Sequence, residues 1–360
     1  MEIKELMTRK ECTAMRGIAI LGIMLHNYCH WLAGIARENE YTWDQWRNDQ
    51  LWTAICQHNM FLPMHLVSYF GHYGVPVFLF LSGFGLVMKY EKGNLQDVNC
   101  WRFVRYNYLK LFRIFIVGFV LFTMFDVFTP AVFTSGNHHY HAREVIAMIG
   151  MYANFLENPS QVVWPGPYWY FSVTLQLYIL YRLLLYRRHW SITVVLIAVC
   201  WLWQLAYLDD AETLERLRYN LVGGMLPFGL GVLTARLQNT GFWTSFCQKK
   251  AAFFGILLLS IALIFVMCLN IQTWLWVPAL IVFGTIAFVK LLPESIMTYV
   301  VWIGTISAAI FVTHPLVRKV FVRPYIQTDQ YAGLLLYIVA TLFLSWLVKK
   351  IIDQIPSPKL

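Results

Sequence analysis

From Ala251 to Val289 the chain carries no Asp, Glu, Lys or Arg, and residues 17–36 are equally free of them. A run of about 18 or more such residues is long enough to cross the hydrocarbon of a bilayer as a helix. Inside the bilayer there is no water to bond the backbone, and a helix satisfies its own N–H and C=O groups. Runs of this kind recur along the whole length. In keeping with them, 59% of the 360 residues are hydrophobic and 13% charged, against roughly 45–50% and about 25% in an average soluble domain. A soluble fold of this size cannot hide that much apolar surface, so the chain is predicted to be an all-α, polytopic integral membrane protein.

The spacing of the runs predicts about ten transmembrane helices, near 15–35, 72–90, 108–128, 167–187, 189–208, 219–237, 251–270, 273–292, 297–317 and 331–350. One crossing needs about 20 residues, so the Ala251–Val289 stretch is expected to turn back around Asn270-Ile271-Gln272-Thr273. Lys and Arg concentrate on the cytoplasmic side of membrane proteins. With both termini cytoplasmic, the outer side holds only Arg37, Arg47, Arg143, Arg216, Arg218, Arg318, Lys319 and Arg323, and 20 of the 28 Lys and Arg fall inside. The outer side also carries Asp209-Asp210-Ala211-Glu212. The cluster Arg318, Lys319 and Arg323 is the one departure from this pattern.

The net charge of +9 therefore reads as an insertion signal, with attraction to anionic lipid heads and anionic cofactors on the inner face, and not as nucleic-acid binding. The lipid bilayer is the first expected partner. No internal repeat or low-complexity segment is visible, and residues 1–360 are expected to form a single membrane domain with no attached soluble domain. No small-residue cleavage site follows the first apolar run, so the first span is expected to remain in the mature protein. Seven scattered cysteines form no CxxC pair and read as small apolar fillers; Cys29 and Cys56 are the pair placed together on the outer side. There is no GxxxxGK[ST], GxGxxG, GxSxG or HExxH, so neither ATP-driven nor dinucleotide chemistry is indicated.

The larger outer segments, 37–71 and 129–166, are rich in Trp, Tyr, His, Asn and Gly. They fit either a lid or acceptor-facing surface or an interfacial aromatic belt. Ile146–Leu156 is apolar but too short to span, and is expected to form an interfacial or re-entrant helix. Pro165-Gly166-Pro167 is expected to break the chain before the fourth span.

Ionisable groups inside a bilayer are expensive and usually functional. His26 lies mid-way along the first apolar run, and Arg16 marks the start of that run. A neutral imidazole can accept a proton, which suits it to activate an acceptor hydroxyl in acyl transfer. Arg16 offers a planar, permanently charged fork for phosphate or carboxylate, about 15 Å nearer the inner surface. Against these stand plainer readings: His26 as a hydrogen bond between helices, and Arg16 as a snorkelling anchor. His26 and His30 share a helix face, but no acid stands at helical spacing to complete a metal site, and no metal is predicted. His138, His139 and His141 read as a solvated loop. His314-Pro315 fits a structural role, because proline frees a backbone carbonyl for a neighbouring polar group. Asp126 is a candidate orienting carboxylate or a wet side chain.

Taken in order, these motifs resemble the acyltransferase 3 family of integral membrane acyltransferases, which includes O-acetyltransferases of bacterial surface polysaccharides. Arg16-Gly-Ile-Ala-Ile-Leu with His26 is similar to the family's first-span Arg and His. Gly74-Val-Pro-Val-Phe-Leu-Phe-Leu-Ser82-Gly83-Phe84 resembles its second-span motif, and Lys110-Leu-Phe-Arg113-Ile its basic approach to the third span. Trp169-Tyr-Phe-Ser172-Val-Thr-Leu-Gln176-Leu-Tyr178 is similar to its Trp-x-Leu-Ser-x-Glu-Glu-Gln-Phe-Tyr segment, with Thr174 and Leu175 where the family often has acids. Phe228-Gly-Leu-Gly231 with Ala235-Arg236 resembles the sixth-span motif, and Phe311-Val-Thr-His314-Pro315 the late His element. The family commonly has ten residues between the Arg and the His. Here there are nine, which leaves the two side chains about 80° apart around the helix.

The resemblance implies an acyl-CoA donor, usually acetyl-CoA, reached from the cytoplasm, and a hydroxyl acceptor on a cell-envelope carbohydrate or glycolipid. On that reading His26 is the base and Arg16 helps hold the donor. Arg102, Arg105, Lys110 and Arg113 are the candidate partners of the CoA phosphates, with membrane topology as their alternative role. Ser82, Trp169, Ser172, Gln176 and His314 are the substrate-site candidates. A bacterial inner (cytoplasmic) membrane is the expected location. The alternative from another class is a transporter or flippase for a lipid-linked or anionic metabolite, though the internal repeats common in transporters are not evident.

Overall fold

The computed structural model describes residues 6–93, 97–128, 138–238, 250–321 and 329–360. Among them there is no strand. In chain order the helices are α1 (Arg9–Cys29), α2 (Gln45–Cys56), α3 (Leu62–Phe70), α4 (Gly74–Tyr90), α5 (Cys100–Phe128), α6 (Ala142–Ile149), α7 (Pro159–Val162), α8 (Trp169–Leu180), α9 (Trp190–Leu205), α10 (Ala211–Arg218) and α11 (Leu221–Leu237). They continue with α12 (Lys250–Met267), α13 (Ile271–Trp274), α14 (Val277–Leu291), α15 (Glu294–Thr305), α16 (Ser307–Phe321) and α17 (Gln330–Gln354). Among the described residues four helical stretches are long and apolar enough to cross a membrane: Leu62–Tyr90, Cys100–Phe128, Lys250–Met267 and Gln330–Gln354. Counting each of the bent pairs α10–α11 and α15–α16 as one span brings the total to six. The chain is a membrane protein built from helices.

One local expectation meets the structure directly. Asn270 closes the turn after α12, its side chain accepting from the Gln272 N–H at 2.8 Å to cap α13. Three features differ. The apolar stretch at 146–156 is not one helix but is divided between α6 and a 3-10 turn at Ala153–Phe155. The second helical stretch begins at Leu62, ten residues before the expected span, because a 3-10 turn at Gly71–Tyr73 links α3 to α4 without a loop. The ninth run breaks at Ile306, between α15 and α16, and Pro315 sits inside α16. His314 Nδ1 donates to the Ile310 carbonyl at 3.0 Å, next to the Phe311 carbonyl that Pro315 leaves without its helical donor.

The fold divides into two compact units. The first comprises Met1–Ala19, Tyr73–Cys100 and Gln176–Thr305, and its helices approach through glycine. A Cβ at Gly83 on α4 would overlap the Phe228 carbonyl oxygen on α11, and one at Gly231 would overlap the Phe80 carbonyl oxygen. The glycines of the second-span and sixth-span motifs thus each face a carbonyl of the other's helix, which is how small residues bring membrane helices into backbone contact. The same reciprocity joins α1 to α15, with Gly17 against Val300 and Gly304 against Thr13. At one end of α4 and α11, Arg236 grips Glu91 with two bonds of 2.9 and 2.7 Å and also donates to the Leu185 carbonyl.

The second unit comprises Ile20–His72, Trp101–Leu175 and Ile306–Leu360. Here α1 packs on α3 through Gly22 and Gly71, and a Cβ at Gly71 would stand 2.7 Å from the His26 Cβ. Two of the three charged residues that departed from the topology pattern are internal. Arg318 and Lys319 are buried on α16, and Lys319 is ion-paired with the fully buried Asp126 of α5. Asp126 also accepts from the His138 N–H at 3.0 Å and the Tyr140 hydroxyl at 2.9 Å, so it is dry and not a wet side chain. Cys29 and Cys56 are both free thiols. Arg323, Lys4, Lys249 and positions 129–137 of the second outer segment lie outside the described residues.

Candidate active site

α1 carries both residues of the first-span motif, and the close approach of Gly22 to Gly71 presses the His26 turn against the end of α3. His26 is 7% exposed. Its Nδ1 lies 2.7 Å from the Ser68 carbonyl oxygen. A carbonyl only accepts, so Nδ1 holds the ring hydrogen and the Nε2 lone pair remains for a proton. The His30 and His72 rings stand 4.9 and 5.3 Å from the His26 ring between centroids. Behind His72, Glu40 Oε2 lies 3.3 Å from its Nδ1. Burial raises the Glu40 carboxyl, but the His72 imidazole beside it outweighs that effect and holds it below the ordinary carboxylate range. From α16 come His314, fully buried with Nε2 lacking a partner, and Arg318. The Arg318 guanidinium donates to Asn27 Oδ1 at 3.0 Å and stacks on Trp31 at 4.9 Å.

Of the sequence-derived residues, His26 and His314 belong to this cluster. Trp169 and Ser172 are buried in the same unit. The Trp169 carbonyl accepts from Asn154 at 3.0 Å, and its ring meets the edge of Tyr41. Arg16 belongs to the first unit and is exposed. Ser82 and Gln176 also lie in the first unit, where the Ser82 hydroxyl accepts from the Tyr178 hydroxyl at 3.4 Å. Gln176 bonds both the Asn220 side chain and the Leu221 N–H at 2.9 Å, holding the start of α11.

The basic approach to α5 divides in two. Arg102 and Arg105 line a cavity of about 400 Å³ with Tyr106, Leu109 and the terminal Pro358, Lys359 and Leu360. Lys110 is exposed. Arg113 is already engaged, donating from Nε to the Ile352 carbonyl at 2.9 Å and from Nη1 to the Ser357 hydroxyl at 2.5 Å. It caps the end of α17, where a cation meets orphan carbonyls and the negative end of the helix dipole.

Sequence reasoning missed Glu40, His72 and Arg318. The signals for two of them were present: Arg318 stands four residues after His314 on one helix face, and His72 lies just before the Gly74 motif. Nothing around Glu40 marks it. Among the described residues no three His, Cys, Asp or Glu side chains are grouped to hold a metal ion.

The arrangement is that of a buried imidazole with the rings of His30, His72 and His314, a carboxylate and a guanidinium around it, groups able to move a proton and steady charge where water is scarce. In comparison with known proteins, residues 10–350 match the acyltransferase 3 family, described as an acyltransferase domain. No curated protein and no solved structure matches. The family match covers nearly the whole chain, and the protein belongs to the acyltransferase 3 family.

Proposed function

We propose that this membrane acyltransferase moves an acetyl group from cytoplasmic acetyl-CoA to a hydroxyl of a cell-envelope carbohydrate or glycolipid, with His26 as the general base. The observation that carries the reading is the 2.7 Å bond from His26 Nδ1 to the Ser68 carbonyl, which fixes the tautomer and leaves Nε2 basic. His26 Nε2 takes the acceptor hydroxyl proton as the oxygen attacks the thioester carbonyl carbon. The carbonyl electrons move onto oxygen, then return to expel the CoA thiolate, which recovers the proton from His26. Ester and CoA thiol leave.

For the donor, the cavity at Arg102, Arg105 and Lys359 supplies cations for the CoA phosphates. Lys110 adds to the same basic face, whereas Arg113 acts through α17. The test is release of CoA thiol from acetyl-CoA by the purified chain, with transfer of labelled acetyl to an envelope glycan fraction. Arg102→Ala with Arg105→Ala is expected to raise KM for acetyl-CoA about tenfold or more, from charge-assisted bonds of roughly 1.5–3 kcal/mol each, with kcat little changed. Unchanged KM sinks the site. Substrate uptake into proteoliposomes with no acyl transfer supports the transporter alternative instead.

The reading places the protein in a bacterial inner membrane with ten spans and both termini cytoplasmic. That disposition is supported by the Lys and Arg asymmetry and eased by the burial of Arg318 and Lys319. Reporter fusions active only in the cytoplasm are expected to function at either terminus and to be silent at Asp209; a signal from Asp209 overturns the topology.

A further inference from the structure

Two cations stand side by side on α16, and their surroundings differ. Lys319 has Asp126 as its carboxylate. Arg318 is 8% exposed, yet among the described residues no carboxylate pairs with it. It has one hydrogen bond, to Asn27 Oδ1, and the face of Trp31. An arginine does not shed its proton to escape burial, and buried charges are ordinarily paired. A guanidinium left without an anion, in a protein that reads as crossing a bilayer, marks a functional site by default.

Its neighbours say which site. Asn27 follows His26 directly, and Trp31 lies just beyond the end of α1. The Arg318 charge acts on His26, His30 and His314. His314, one turn earlier on the same face of α16, holds Nδ1 against the Ile310 carbonyl and keeps a buried Nε2 without a partner. The other charged or titratable groups around His26 are His72 and Glu40. Glu40 is engaged with His72, so the carboxylate of the site is spoken for and the guanidinium is the group that lacks its counter-ion.

We propose that Arg318 is a catalytic residue that holds the oxyanion formed when the acceptor oxygen attacks the thioester carbonyl. The proposal rests on His26 acting as the base in that step. The acceptor proton goes to His26 Nε2, the new C–O bond forms, and the carbonyl π electrons become the negative oxygen that Arg318 faces. When the C–S bond breaks, those electrons reform the carbonyl and the thiolate takes the proton back from His26. The anion exists only during the reaction, which is why the resting protein shows a cation without one. Charge aimed at a developing oxyanion and kept from water acts most strongly in the transition state.

The experiment compares the full chain with Arg318→Met, Arg318→Lys and Arg318→Ala in detergent. Thermal unfolding is measured alongside the initial rate of CoA-thiol release from acetyl-CoA, with methyl glycosides of neutral sugars as acceptors. Arg318→Met is expected to slow release about 10²–10³-fold, the usual effect of losing one oxyanion donor, with KM for acetyl-CoA changed less than about twofold. It should unfold at the same or a higher temperature, because an uncompensated buried charge is gone; a structural arginine predicts a lower one. Arg318→Lys retains part of the rate, and added guanidinium partly restores Arg318→Ala. Near-normal release in Arg318→Met while His26→Ala is inactive overturns the proposal and leaves the His26 reading standing. Dependence on Arg318 only with acceptors that carry a carboxylate also overturns it, by making the site one for the acceptor's own charge. No release by any form, including the unaltered chain, counts against the acetyl-CoA chemistry at His26, and a lowered unfolding temperature in Arg318→Met then overturns the present proposal as well.

Discussion

His26→Ala is expected to lower acetyl transfer by about 10²–10⁴-fold, the range that a positioned general base supplies, while the protein inserts and unfolds as before. The fold should tolerate the change because the ring makes one hydrogen bond, to a carbonyl at the end of α3, and a carbonyl with two lone pairs withstands the loss of one donor. The helix contact at this point is made by Gly22 and Gly71, which the substitution leaves alone. His26→Asn separates the two functions of the ring: the amide nitrogen on Cγ stands where Nδ1 stood and reproduces the bond to Ser68 but offers no group of comparable basicity. It should be as inactive as alanine and at least as stable. Labelled acetyl transfer and thermal unfolding in the same detergent decide the matter. Full transfer in both variants removes the imidazole from the chemistry, and loss of transfer together with loss of folding assigns it to the packing of α1 on α3.

The membrane character and helical class were legible because apolar runs without charge admit few alternatives. The turn at Asn270 was legible because a run too long for one span must reverse, and Asn is a good helix cap. The break at Ile306 was not, since Ile306 has no helix-breaking character and the proline of this run stands nine residues further on. The burial of Arg318 and Lys319 was not legible because a charge count sees composition and not direction. Their carboxylate and aromatic partners come from α5 and the segment after α1, distant in sequence. His26 could be singled out by its place in an apolar run, whereas Glu40 lies in a polar segment where a carboxylate is ordinary. Gly83 and Gly231 are motif positions in sequence, and the structure gives their reason: each occupies the spot where the other's helix brings a carbonyl oxygen. Likewise Arg113 and Lys110 look alike in sequence, and the difference between them, a bond to the end of α17, depends on residues far along the chain.

Asp126→Ala is expected to destabilise the protein by about 3–5 kcal/mol, the range for removing one partner of a buried ion pair. The Lys319 ammonium would keep only the rings of Phe122 and Trp164, each 5.9 Å away, and cation–π attraction at that distance offsets a minor part of the lost charge pairing. The His138 N–H and Tyr140 hydroxyl lose their acceptor in the same step, so residues 138–140 should open to protease before the helices unfold. Asp126→Leu with Lys319→Met removes both charges and retains apolar volume. Such replacements of buried pairs are often neutral or stabilising, so the double variant should recover most of the unfolding temperature. Segment 138–140 should stay protease-sensitive in it, because its own bonds to Asp126 are still missing. Thermal unfolding and limited proteolysis of the single and double variants separate the two contributions. An Asp126→Ala protein that unfolds within a degree or two of the unaltered chain would mean that Lys319 reaches water or another anion, and that the pair does not hold α5 to α16.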